Sequence, residues 1–323
     1  MKHTLRILLL LMLTIWQSLT VQAQPAEGEY TVHPGDTADL LHAIQLANQH
    51  KGSHFTIHIP DGTYDLGTRV LTRLEGNHIR LVGQSMEGTI IRNQPPIEVE
   101  GIGTTATLLN LGCGNVLEEL TLQNALDYYG SGFAGRAVAL QDKGDSTLCR
   151  RVRLLSHQDT YYSNNPASIH RFDHCELHGT VDFICGDGDV FFDHCTLVLL
   201  DRHPDGSGTC VIAAPKTRPG GQGFIFSHCT VRSHSSRFSL ARAWGGMPRC
   251  LYLHTVLTRP DLILPTRFTP KGMNVCEAEF LEHHTMDVDG NTVSPQSNIL
   301  TITKGEQQDT RERILLHADD IPF

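Results

Sequence analysis

The chain lacks an excess of positive charge: 26 Lys and Arg stand against 35 Asp and Glu, for a formal net charge of −9 over 323 residues. Such a balance disfavours non-specific nucleic-acid binding, which draws on phosphate neutralisation. A hydrophobic content of 40% with 19% charged residues excludes both a disordered chain and a membrane-embedded one. No apolar run is long enough to span a bilayer. The longest, Ile7 to Trp16, offers about ten residues where ~20 are needed. It follows Lys2 and Arg6 and precedes the small-residue site Val21-Gln22-Ala23, a pattern expected of a signal peptide over residues 1–23. There is no cysteine near Ala23, so lipid attachment is not indicated. The mature chain, 24–323, is expected to be one domain, periplasmic or extracellular, with no membrane association and acting as a monomer.

Helical periodicity is also scarce. The one convincing helix lies near the start of the mature chain, where Leu40, Leu41, Ile44 and Ala47 share a face, Asp36 or Thr37 can cap the start and Gly52 the end. What is present instead is a repeat. Phe172-Asp173-His174-Cys175-Glu176-Leu177 recurs as Phe192-Asp193-His194-Cys195-Thr196-Leu197, and more loosely as Phe226-Ser227-His228-Cys229-Thr230-Val231. Apolar residues two apart mark strands with one buried face. Weaker relatives include Leu120-Thr121-Leu122, Val152-Arg153-Leu154 and Thr255-Val256-Leu257. Strands only ~20 residues apart leave no room for helical crossovers, so an all-β solenoid fits, with the helix covering its open end. Cys175, Cys195 and Cys229 are then expected to stack inside as reduced thiols, whereas Cys210 and Cys250 could pair. After about Asp287 the repeat fades, and the tail is expected to pack along the outside.

Asp159 and Asp182 lie 23 residues apart, the same interval as Val152 and Cys175 in the repeat. They therefore occupy equivalent places on successive coils, ~4.8 Å apart in strand spacing. Two carboxylates that close share one proton and split their pKa values, as a nucleophile and a general acid of the same residue type require. Nineteen histidines suggest metal binding. However, His170, His174 and His178 span a turn and a strand, where a spacing of four does not bring side chains together. His283 and His284 would point apart in a strand. No metal and no other cofactor is expected.

Three motifs then resemble a known family. Gln158-Asp159-Thr160-Tyr161-Tyr162, Val181-Asp182-Phe183-Ile184-Cys185-Gly186 and Leu240-Ala241-Arg242-Ala243-Trp244 look like segments of the pectin methylesterases, and occur in the family's order. The likeness runs from about residue 30 to 290. It implies a right-handed parallel β-helix that hydrolyses methyl esters of galacturonate residues in pectin. Asp182 would be the nucleophile, Asp159 the general acid and then base, Gln158 an oxyanion donor and Arg242 the partner of Asp182. Trp244 and Tyr161 would line the sugar cleft.

The sequence departs from the family where Arg136 replaces a glutamine. Arg136 lies 23 residues before Asp159 and is expected level with the dyad. Its guanidinium can stabilise an oxyanion, yet it can also lower the Asp159 pKa and weaken that acid. A catalytically weak pectin-binding protein on the same scaffold is therefore an alternative. A polysaccharide lyase is a third, although no calcium-type oxygen cluster is evident. Leu66, Ala241 and Ala243 also differ from the family and suggest altered subsites.

Overall fold

The computed structural model describes residues 28–269 and 278–293. The expected signal peptide lies outside the described residues, as does the tail beyond 293.

Each strand pairs with the equivalent strand one coil away, and three such ladders run along the chain. The first carries Ile169–Asp173, Asp189–Asp193, Phe224–Ser227, Arg249–Leu253 and Glu279–His283 in successive parallel pairings. The second carries Glu176–Gly179, Thr196–Leu199, Thr230–Ser233, Val256–Leu257 and Met286–Asp287. The third carries Tyr161–Ser163, Val181–Gly186, Thr209–Pro215, Arg237–Arg242 and Phe268–Thr269. The long strands Val116–Asn124 and Thr147–Leu155 bend through both the first and the second ladder. This is a parallel β-helix, as the repeat predicts.

Equivalent side chains stack along the inside. Phe172, Phe192, Phe226 and Tyr252 form a column with ring centroids 4.9, 4.7 and 4.4 Å apart. Cys175, Cys195 and Cys229 are buried and free, each with Sγ 3.3–3.6 Å from a carbonyl oxygen of the preceding coil. Cys210 and Cys250 are also free; one belongs to the third ladder and the other to the first, so they do not pair. Phe192 sits mid-column and is fully buried. Phe192→Ala is expected to destabilise the domain by about 3–5 kcal/mol, because rigid rungs above and below cannot collapse into the cavity. Denaturant unfolding will measure it.

The helix runs Thr37–Gln49, with Asp36 accepting from the Asp39 amide at 3.0 Å. Its buried stripe is Leu40, Ala43, Ile44 and Ala47, the i, i+3, i+4, i+7 pattern, and it closes the first coil's core. Leu41 is only partly buried, one step off that stripe. His50, extended at φ −65° and ψ 132°, ends the helix before Gly52 is reached. At the far end a buried Arg267–Glu282 ion pair packs under the last coil. Arg267 also donates to the Val293 carbonyl oxygen at 2.7 Å, and Thr292 bridges back to Met286, so the start of the tail docks on the end of the solenoid.

The corner between the first and second ladders is a single residue in the left-handed region, where Asn, Asp and His are favoured over other side chains. Five successive coils place His174, His194, His228, His254 and His284 there, with φ between 50° and 52°. Their rings stack at 5.1, 5.0, 4.8 and 5.3 Å. Because His284 turns this corner, its ring lies 4.4 Å from that of His283 rather than pointing away. His170 is instead buried beside Asp142 at 3.5 Å, and His178 bonds Glu176 on the second ladder, so the trio spaced by four is dispersed.

Candidate active site

The corner between the second and third ladders carries Asp159 and Asp182. Both adopt left-handed backbone, with φ of 59° and 50°, which turns each carboxyl out of the strand alternation. The amide of Asp159 donates to the carbonyl oxygen of Val181, locking the two corners together. Both side chains open into one pocket of about 210 Å³, lined also by Gln158, Arg136, Arg242, Trp244, Ile102 and Cys185.

The two carboxyls differ in their partners. Arg242, at the end of Arg237–Arg242, sends Nε to both Asp182 oxygens at 2.7 and 3.0 Å and a second guanidinium nitrogen to Oδ2. Burial pushes the Asp182 carboxyl up, and this fork opposes the shift by favouring the carboxylate. Among the described residues no cation bonds Asp159. Burial, with the neighbouring Asp182 charge, raises its pKa well above the usual carboxylate range, against weaker pull from Arg136 and Arg242. The Arg242 fork therefore favours the negative charge on Asp182, and burial favours the proton on Asp159. Cys185 underlies them, but burial pushes its thiol well above the usual range, which disfavours it as a rival nucleophile.

Arg136 pairs across the coil with Gln158, not with Asp159: the register is one residue shifted from the expected one. Its guanidinium is claimed by Glu100, with Nε–Oε2 at 2.9 Å and an Nη2–Oε1 contact at 2.7 Å, while its own amide donates to Oε2 at 3.2 Å. Glu100 carries no signal in the sequence, because it lies in a loop 36 residues earlier with no motif around it. Its carboxylate offsets the positive charge of Arg136 before that charge acts on Asp159.

Tyr161 does not line the cleft. It is fully buried, with its ring 4.7 Å from Phe172, because strand alternation sends Tyr161 and Ser163 inward and Tyr162 outward. Tyr162 faces outward instead: it is half-buried, with its ring 6.0 Å, edge-on, from that of Trp244. Next to Gln158 in the chain, His157 stacks on Tyr128 at 4.7 Å, and burial pushes its pKa down to about 4, so the ring stays neutral.

The sequence model of the family named Pectinesterase matches residues 31–281. The chain belongs to the pectinesterase family. A probable pectinesterase/pectinesterase inhibitor of Arabidopsis thaliana is 26% identical over 262 residues, covering 77% of this chain and 36% of that protein. This pectinesterase-family chain thus spans well under half of that relative. A pectin methylesterase from carrot shares the fold, with a TM-score of 0.71 at 21% identity, over 83% of this chain and 85% of that one. A second solved pectin methylesterase, in complex with a hexasaccharide, superposes with a TM-score of 0.69 at 22% identity, over 83% and 89% of the two chains.

Proposed function

We propose that this chain hydrolyses methyl esters of galacturonate residues in pectin through a covalent acyl intermediate on Asp182. The observation that carries this is the split dyad: a carboxylate forked by Arg242 beside a buried carboxyl that keeps its proton. The Asp182 oxygen adds to the ester carbonyl and the oxyanion accepts from the Gln158 side-chain amide. On collapse the ester C–O bond breaks and the Asp159 proton leaves with methanol. Water then attacks the acyl carbon, Asp159 takes its proton, and the Asp182 carboxylate is released with free galacturonate. Trp244 and Tyr162 supply the apolar wall for sugar rings. The exported location expected from residues 1–23 forms part of this proposal.

The pairing with Glu100 disfavours a mere pectin-binding role, since the cation that suggested it already holds a carboxylate. Methanol release from methyl-esterified polygalacturonate is the test; no release from any esterified pectic substrate would refute the proposal. A sharper result is expected from Glu100→Gln. An uncompensated guanidinium near Asp159 favours its ionised form and lowers its pKa, by up to about 1–3 units for a close pair. Because Asp159 works protonated in the first step, the alkaline limb of kcat should move to lower pH. Arg136→Gln should move it the other way. Unmoved limbs in both variants would show that this pair does not tune the acid.

A further inference from the structure

We propose that the outer corner of the solenoid binds a divalent transition-metal ion through Asp193, His194 and His228. One ligand atom from each of these residues lies within 4.8 Å of the others, and the histidines come from consecutive coils, 34 positions apart in the chain. Two imidazoles and one carboxylate suit zinc, nickel or copper rather than calcium or magnesium.

The orientation of the rings supports ligation. His194 meets Asp193 Oδ1 through Nδ1 at 3.1 Å, and His228 meets Ser227 Oγ through Nδ1 at 2.9 Å. The two ring nitrogens of an imidazole diverge, so an ion shared with Asp193 binds His194 through this same Nδ1 in place of the bridging proton, and the 3.1 Å gap between Nδ1 and Oδ1 is one that a single ion can span. The other Asp193 oxygen faces Arg171 at 3.7 Å, a loose contact that an ion can displace. Parallel rings 5.0 Å apart aim their in-plane lone pairs side by side, so binding at about 2.0–2.1 Å requires the rings to tilt toward one another. Both residues are exposed, and tilting disturbs no core rung. The bound ion would staple two coils across the long excursion that separates them. The site lies at the corner between the first and second ladders, and the carboxylate dyad at the next corner.

Isothermal titration of untagged protein with zinc and with nickel chloride tests this. One saturable site per chain is expected. His194→Asn and His228→Asn should each weaken it by at least the roughly 10–100-fold seen on losing an outer-shell partner, and His254→Asn should not. Asparagine tolerates left-handed backbone, so these variants keep the corner, and circular dichroism checks that they do. Zinc should raise the melting temperature of the wild type but not of the His194→Asn/His228→Asn double variant, since an ion that binds only the folded state stabilises it. Absence of saturable binding, binding retained by the double variant, or equal loss in His254→Asn would each overturn the proposal.

Discussion

Asp182→Asn should reduce methanol release by about 10⁴-fold or more, the scale of losing a covalent nucleophile. Asparagine keeps the size of the side chain and accepts φ near 50°, so the coil is expected to stay intact. Arg242 loses its partner, but its side chain is 46% exposed, and water can solvate the freed guanidinium. The loss should therefore fall on kcat with little change in the folded structure, which near-ultraviolet circular dichroism and titration with pectic oligosaccharide can confirm. Near-normal turnover by this variant would remove Asp182 from the chemistry altogether.

Asp159→Asn is expected to lose about 10²–10⁴-fold in methanol release, the usual contribution of a positioned general acid. The diagnostic lies in the leaving group. An aryl ester of galacturonate departs without a proton, so its first step should survive in the variant, while the second step lacks its base. The expected trace is a burst of about one equivalent of aryl alcohol followed by a stall, with the acylated protein visible by mass spectrometry. Steady turnover of the aryl ester at the wild-type rate would show that Asp159 is not the base of the second step.

The same variant has an expected effect on stability. Burial raises the folded-state pKa of Asp159 above its unfolded value. Between those two values the native state binds more protons than the unfolded one, so stability falls as pH rises through the folded pKa. The contribution of this group is complete only below the unfolded pKa. Asparagine does not titrate, so Asp159→Asn should be more thermostable than the wild type on the alkaline side and about equal in acid. A melting temperature compared at both extremes measures it.

Much of this was legible in the chain because a solenoid repeats. The Phe-Asp-His-Cys copies announced the rungs, and a shared interval of 23 residues placed Asp159 beside Asp182 before any coordinates. The misses have local causes. The motif puts Tyr161 in the cleft, although alternation along a three-residue strand hides it and turns Tyr162 outward. Glu100 could not be found, since a loop contact 36 residues away leaves no periodic trace. The histidine column was present in the same repeat as the cysteines, but a search for apolar periodicity passes over a corner residue. His283 and His284 differ from expectation for the same reason: strand alternation sends them apart, and the chain turns at His284.

The position of the dyad on stacked corners also sets the order in which the molecule can come apart. Each coil touches only its neighbours, so disorder enters a solenoid from its ends. Here one end is sealed by the Thr37–Gln49 helix and the other by the Arg267–Glu282 pair, with the two carboxylates several coils from either. Fraying at a terminus would have to consume rung after rung before it changed the gap between residues 159 and 182, so heating should leave the reactive centre whole until the last cooperative melting.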